Sequence, residues 1–291
     1  MSFLQLDFPP LAAASLAALA CALVGNYLVL TRRAMFSDAL SHVMLPGVLV
    51  AYLVTGTTAS LPMLAGGLGA AFVAAGLVQV LIRYGRVEPG AALGVVFTSL
   101  FAGGIVLMEQ SGAARTTFDV HHILYGSLEA LVWPDARGIA SLADPAALAA
   151  LPQALPRMVL VLALVGAMVA ALRKDLALVA FDADFARASG VPVRRAELAL
   201  LAATASNAAT VAMIVCPAAT ARLLTRRLPA QIGLSLALAL GAVWLGYAIA
   251  VLGPPALGHD LALNAAGVIG TVAGLAFVAA AWRAGVRPRP A

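Results

Sequence analysis

Polar residues along this chain fall in short clusters separated by long apolar runs. Uninterrupted apolar stretches cover about 11–30, 39–55, 61–82, 90–108, 158–172, 230–252 and 264–282. Runs near 18–20 residues, wound as helices, match a hydrocarbon layer of ~30 Å. A further stretch, 196–229, is broken up by Pro217 and by the Arg222/Arg226/Arg227 cluster. At 34 residues it exceeds one simple span and falls short of two full ones, so it predicts two short helices broken near 209–212. Irregular backbone at membrane depth is tolerated where protein buries it.

The charged clusters set the direction of the spans. If 196–229 crosses twice, the chain crosses nine times, with its N-terminus outside and its C-terminus in the cytoplasm. Fifteen basic residues then face the cytoplasm, and only Arg115, Arg137 and Arg157 lie outside. That is the positive-inside bias in strong form. One crossing fewer stays open, giving eight to nine. The segment 109–157 is the least apolar and lies outside, and no internal repeat or second domain is evident, so residues 1–291 are expected to form one transmembrane domain.

Composition sharpens this picture. The chain is 63% hydrophobic and 11% charged, with a mean hydropathy of +0.99. Soluble domains carry about a quarter charged residues, so an ordinary globular enzyme is excluded, and so is disorder. The net charge of +5 would suggest a nucleic-acid partner in a soluble chain, but here it reports topology. Lys174 is the sole lysine and follows Arg173, so no Walker lysine is present, and any ATP must be hydrolysed by another subunit. The first ten residues hold no Lys or Arg, which argues against a cleaved signal peptide. Cys21 and Cys216 both sit in apolar runs, and no disulfide framework is expected.

Three constellations can carry chemistry. In RRAMFSDALSHVMLPG, Asp38 and His42 are four residues apart and share a helical face below the membrane surface. Ionisable side chains at that depth ordinarily face a partner, cavity or pathway. Carboxylate and imidazole together suit Mn²⁺, Zn²⁺ or Fe²⁺. Two ligands are few, and a symmetric dimer would double them; the bland alternative is a packing hydrogen bond between the two side chains. In FDADFARASGVPVRR, Asp182 can cap a two-turn helix beginning at Ala183, Gly190 suits its stop, and Pro192 follows. Phe181 and Phe185 would give this cytoplasmic piece an aromatic knob, able either to receive a push from a soluble partner or to lie on the headgroups. Outside, Asp119, His121, His122, His259 and Asp260 can guide a cation inward or serve as solvated loop residues. Asn26, Gln79, Asn207 and Thr210 are expected to bond between helices. Neither HExxH nor GxSxG occurs.

Four segments in order carry a resemblance: Gly25 through LVLTRRAMFSDALSHVMLPG, ILYGSLEAL, FDADFARASGVPV, and CPAATARLL at 216–224. Together they resemble the membrane permease of manganese/zinc/iron ABC importers, over about residues 20 to 280. The resemblance implies an all-α polytopic bundle akin to type II ABC importers, with a broken helix near 209–228. It implies two permeases, identical or homologous, forming one pathway, with two ATP-binding cassette subunits below and an extracytoplasmic metal-binding protein above. It also implies that Phe181–Pro192, including Asp182, Phe185, Ala186 and Gly190, is the coupling helix that docks on the ATPase. Asp38 and His42 fall on the family's Asp-x-x-x-His element, which implies a transient site for the transported metal and no permanent cofactor. GPPALGHDLALN is a looser form of the family's Pro-x-Gly, and Cys216 stands where an aliphatic residue is commoner. The rival readings are a secondary transporter, which predicts a two-fold internal repeat, and a permease for a metal chelate. An intramembrane enzyme would need a nucleophile or full metal triad that the sequence lacks.

Overall fold

The computed structural model describes residues 3–57, 60–111, 131–136, 138, 141, 144–206, 212–256 and 263–285. All regular structure among them is helical: α1 (Phe3–Leu6), α2 (Phe8–Leu30), α3 (Ala34–Thr55), α4 (Ser60–Arg83), α5 (Pro89–Ser111), α6 (Pro145–Ala149), α7 (Ala154–Phe181), α8 (Ala183–Ala188), α9 (Val193–Ser206), α10 (Ala212–Leu224), α11 (Leu228–Ala256) and α12 (Ala265–Gly285). Seven of these helices (α2, α3, α4, α5, α7, α11 and α12) are long and apolar enough to cross a membrane. They coincide with the seven apolar runs of the sequence. Within the stretch 196–229, α9 has 14 described residues and α10 has 13, each short of the ~20 that a simple span needs; the break expected near 209–212 falls on 207–211, outside the described residues. One expected boundary is displaced. The fifth run ends at residue 172 by hydropathy, yet α7 continues unbroken through Arg173, Lys174 and Asp175 to Phe181. Charge ends an apolar run without ending a helix, because these residues are tolerable helix formers.

The described chain divides into two compact units. The first takes in residues 1–29, 127–173 and 212–291, and hence most of α2, the larger part of α7, and α10, α11 and α12. Its helix α2 is alanine-rich on its buried positions, with Ala18, Cys21, Ala22 and Val24 fully enclosed. Small side chains of this kind let helix backbones approach closely in lipid. Cys21 and Cys216 are both free thiols. Near the start of α2, Trp133 is fully buried and packs with Ala136, Ala147, Leu4, Phe8 and Leu151. Its indole Nε1 donates to the Ala147 carbonyl at 2.8 Å, and its backbone N–H donates to the Gln5 carbonyl at 2.9 Å. The polar handle of the ring is thereby satisfied while its body fills the cluster.

The second unit takes in residues 30–126 and 174–211, with α3, α4, α5, α8 and α9. Here α3 crosses α4 backbone to backbone at Gly47 and Gly66. A Cβ on Gly47 would collide with the Gly66 carbonyl oxygen, and one on Gly66 would stand 2.6 Å from the Ala51 Cβ. No larger residue fits at this crossing without separating the helices. Val43, Ala74, Val78, Ala92 and Val96 join α3, α4 and α5 into one core. Helix α9 adds Leu201 and Ala205 against Leu40 of α3 and Ala71 of α4.

Candidate functional site

Helix α3 starts at Ala34, directly after a turn in which Arg32 adopts a left-handed φ of 58°. No side chain caps this first turn. Instead the guanidinium of Arg33 (Nη2) donates to Oε1 of Glu197 on α9 at 2.6 Å. Asp38 lies on the exposed side of α3, and His42, one turn further, is half-buried. The imidazole packs between two phenylalanines of α5. Its centroid is 5.8 Å from that of Phe97 in a stacked arrangement and 5.4 Å from that of Phe101 edge-on. Phe97 and Phe101 are themselves four residues apart and so present one helical face. Both rings pack against the imidazole and restrict its orientation.

One turn past His42, Pro46 lacks the N–H that a helix would aim at the His42 carbonyl. The proline ring fits against α5 at Gly104, where an added Cβ would lie 3.0 Å from Pro46 Cβ. Proline, the glycine crossing with α4 and the aromatic pair of α5 thus converge on the stretch of α3 that holds the acid and the imidazole. Among the described residues, no group of three His, Cys, Asp or Glu side chains is placed to hold a metal ion. Asp38 and His42 are the two residues of this kind that the sequence singled out on α3.

The second predicted feature forms as its residues dictate. Asp182 is extended (φ −153°, ψ 98°), and its Oδ1 accepts from the backbone N–H of Asp184 at 3.1 Å and of Phe185 at 2.9 Å. That is the N-cap expected from its side chain. Helix α8 then runs for six residues and is followed by Gly190, whose φ of 79° is one that glycine adopts without strain. The Gly190 N–H donates to the Arg187 carbonyl at 3.1 Å, and Val191 N–H donates to Ala186 carbonyl at 3.0 Å. Ala186 is fully buried, whereas Phe181 and Phe185 are 60% and 59% exposed. Pro192 is exposed and leads directly into α9. Phe181 belongs to the last turn of α7 rather than to α8, so the aromatic knob spans the joint between two helices.

Asp119, His121, His122, His259 and Asp260 lie outside the described residues, as do Asn207, Thr210 and the ILYGSLEAL segment but for its final leucine. Of the polar residues expected to bond between helices, Asn26 does so. Its Nδ2 donates to Ser235 Oγ at 2.7 Å, and its Oδ1 accepts from Gln231 Nε2 at 3.0 Å. Arg222 Nη1 extends the network by donating to Gln231 Oε1 at 3.3 Å. Gln79 does not: it lies exposed on α4, because the buried face of that helix carries Ala71, Ala74 and Val78 instead. Sequence reasoning missed Glu197 and Gln231 altogether. Glu197 is the sole acid in α9, and that is the one local signal that could have drawn attention to it.

Comparison with known proteins bears on the same residues. The family model for the ABC 3 transport family matches residues 5–143 and 146–284. The manganese transport system membrane protein MntD of Bacillus subtilis is 35% identical over 223 residues, covering 73% of this chain and 72% of the relative. A probable iron transport system membrane protein of Haemophilus influenzae is 26% identical over 255 residues, covering 84% of each. In three dimensions, PsaBC from Streptococcus pneumoniae in complex with Fab matches with a TM-score of 0.72 at 24% identity, covering 94% of this chain and 90% of that one. That likeness shows the same fold. The family match, running through both compact units, and the identity to MntD establish that this chain is a member of the ABC 3 transport family.

Proposed function

We propose that the chain is the permease subunit of a metal importer, carrying a divalent transition metal across the cell membrane past Asp38 and His42. The observation that carries this reading is the acid–imidazole pair on α3, exposed at Asp38 and aromatic-lined at His42, in a helix long enough to cross the bilayer. The relatives named for manganese and iron transport support manganese or iron as cargo, and zinc fits the same donors. An ion in transit must be held firmly enough to enter and loosely enough to leave. Two donors per chain suit that requirement, with two facing copies supplying four. A second permease, identical or homologous, is therefore part of the reading, and residues 1–291 act as one domain.

ATP hydrolysis falls to a pair of cassette subunits on the cytoplasmic side, docked at Phe181, Asp182, Phe185, Ala186, Gly190 and Pro192. Two exposed aromatic rings, Phe181 at the end of α7 and Phe185 on the capped α8, make a compact knob for such a partner. The positive-inside bias supports an N-terminus outside and a C-terminus in the cytoplasm. An extracytoplasmic metal-binding protein would deliver the ion at the opposite face, with Asp119, His121, His122, His259 and Asp260 as the candidates to receive it. Purified from native membrane with its ATPase and placed in liposomes, the complex should take up Mn²⁺, Fe²⁺ or Zn²⁺ only with ATP present. Phe185→Asp should abolish co-purification of the ATPase or cut metal-dependent hydrolysis to background. Uptake of none of the three ions by the intact complex would overturn the reading.

A further inference from the structure

We propose that the ion pair between Arg33 and Glu197 is a positioning pair that transmits movement of the coupling helix to the helix bearing Asp38 and His42. This rests on the reading of α8 as the ATPase-docking element. All of its members lie in the second compact unit.

The path can be followed residue by residue. Helix α8 is joined to α9 by a tight elbow, closed by the bonds from Gly190 and Val191 back onto α8 and packed over the buried Ala186, Val193 and Ala196. A displacement of α8 therefore carries the start of α9 with it. Further along, Leu201 and Ala205 of α9 pack on Leu40 and Ala71. Those contacts are apolar and carry no directional bond. The Arg33–Glu197 bond is different: it is directional, 2.6 Å long, and lies at the very start of α3, five residues before Asp38. As a charge-assisted bond it adds a directional tie between α9 and α3 to the apolar packing.

Stability does not explain the pair. The two side chains are 49% and 29% exposed, and ion pairs of that exposure add little to folding. Nor is it the partner that local geometry offers first. Arg194 stands three residues before Glu197 on the same helix, at a spacing that favours intrahelical pairing. Glu197 instead reaches a residue 164 positions away. The exposed Asp184–Arg187 pair shows the contrasting case, an i,i+3 contact that stays within α8 and links nothing.

The test uses the permease–ATPase complex in liposomes, measuring metal taken up and ATP hydrolysed in the same samples. The variants are Arg33→Glu, Glu197→Arg and the double exchange, with Glu197→Gln as a milder break should a reversal fail to assemble. Each break should lower metal carried per ATP by about fivefold or more, the lower end of ordinary coupling between sites. The ATPase should stay bound, and the exchange should regain most of the loss. Single variants that pump at the wild-type ratio, or an exchange no better than the worse single change, would overturn the proposal. Absence of ATP-driven metal uptake in the wild-type complex would instead overturn the function on which it rests.

Discussion

Two sets of polar residues lie within the apolar helices, and they are treated in opposite ways. On α2 and α11, Asn26, Gln231 and Ser235 are all fully buried and bond to one another across the helices. On α3, Asp38 is exposed and His42 is half-buried against aromatic faces. Amides and hydroxyls can satisfy each other in a dry interior, so that set cements helices together. A carboxylate and an imidazole exchange protons and bind cations, and leaving them reachable has a use that stability does not supply. With Asp38 and His42 as the proposed transport site, depth in a span does not separate the two sets; accessibility and the kind of partner do.

This contrast can be broken in three places. The largest effect is expected at the proposed transport site. Asp38→Ala combined with His42→Ala should reduce ATP-driven metal uptake to below about one hundredth of wild type, given that even residues merely supporting a metal ligand cost about 10–100-fold. Thermal stability in detergent, measured on the same samples, separates loss of transport from loss of folding. A double variant that transports normally would remove the site. Next comes the scaffold behind that set. Gly66→Leu should separate α3 from α4 and cost about 1–3 kcal/mol or more through overpacking, read as a lower melting temperature of the purified chain. An unchanged melting temperature would mean the Gly47–Gly66 crossing is not closely packed.

The smallest effect belongs to the buried network. Asn26→Leu strands Nε2 of Gln231 and should destabilise by about 1–3 kcal/mol. Adding Gln231→Leu should recover part of that loss, since replacing both partners leaves fewer polar groups unpaired. Metal uptake per folded complex should remain close to wild type in each. A transport defect without loss of stability would move this network from structural to functional and dissolve the contrast.

Much of the fold, and part of the site, is legible in the amino-acid order. The Asp182 cap and the Gly190 stop are readable because capping depends on two or three neighbouring residues and their φ preferences. The four-residue spacing of Asp38 and His42 is readable because helical periodicity alone puts them on one face. The end of α7 is not, since hydropathy marks where a helix leaves an apolar layer and not where its hydrogen bonds cease. Gln79 misleads because which face of α4 is buried depends on where α3 and α5 lie. Glu197 is invisible as the partner of Arg33, as nothing local links residues 164 positions apart.

Local chemistry is enough to make this a helical membrane protein, to place its long helices, to raise a capped turn between two of them and to set an acid and an imidazole on one helix. These features follow from transfer free energies, helical period and backbone preferences, all of them short-range along the chain. Three-dimensional packing alone settles that two phenylalanines clasp His42, that Gly47 meets Gly66 and that Glu197 holds the start of α3. Such contacts arise when distant segments compete for the same space, and no local pattern encodes the winner.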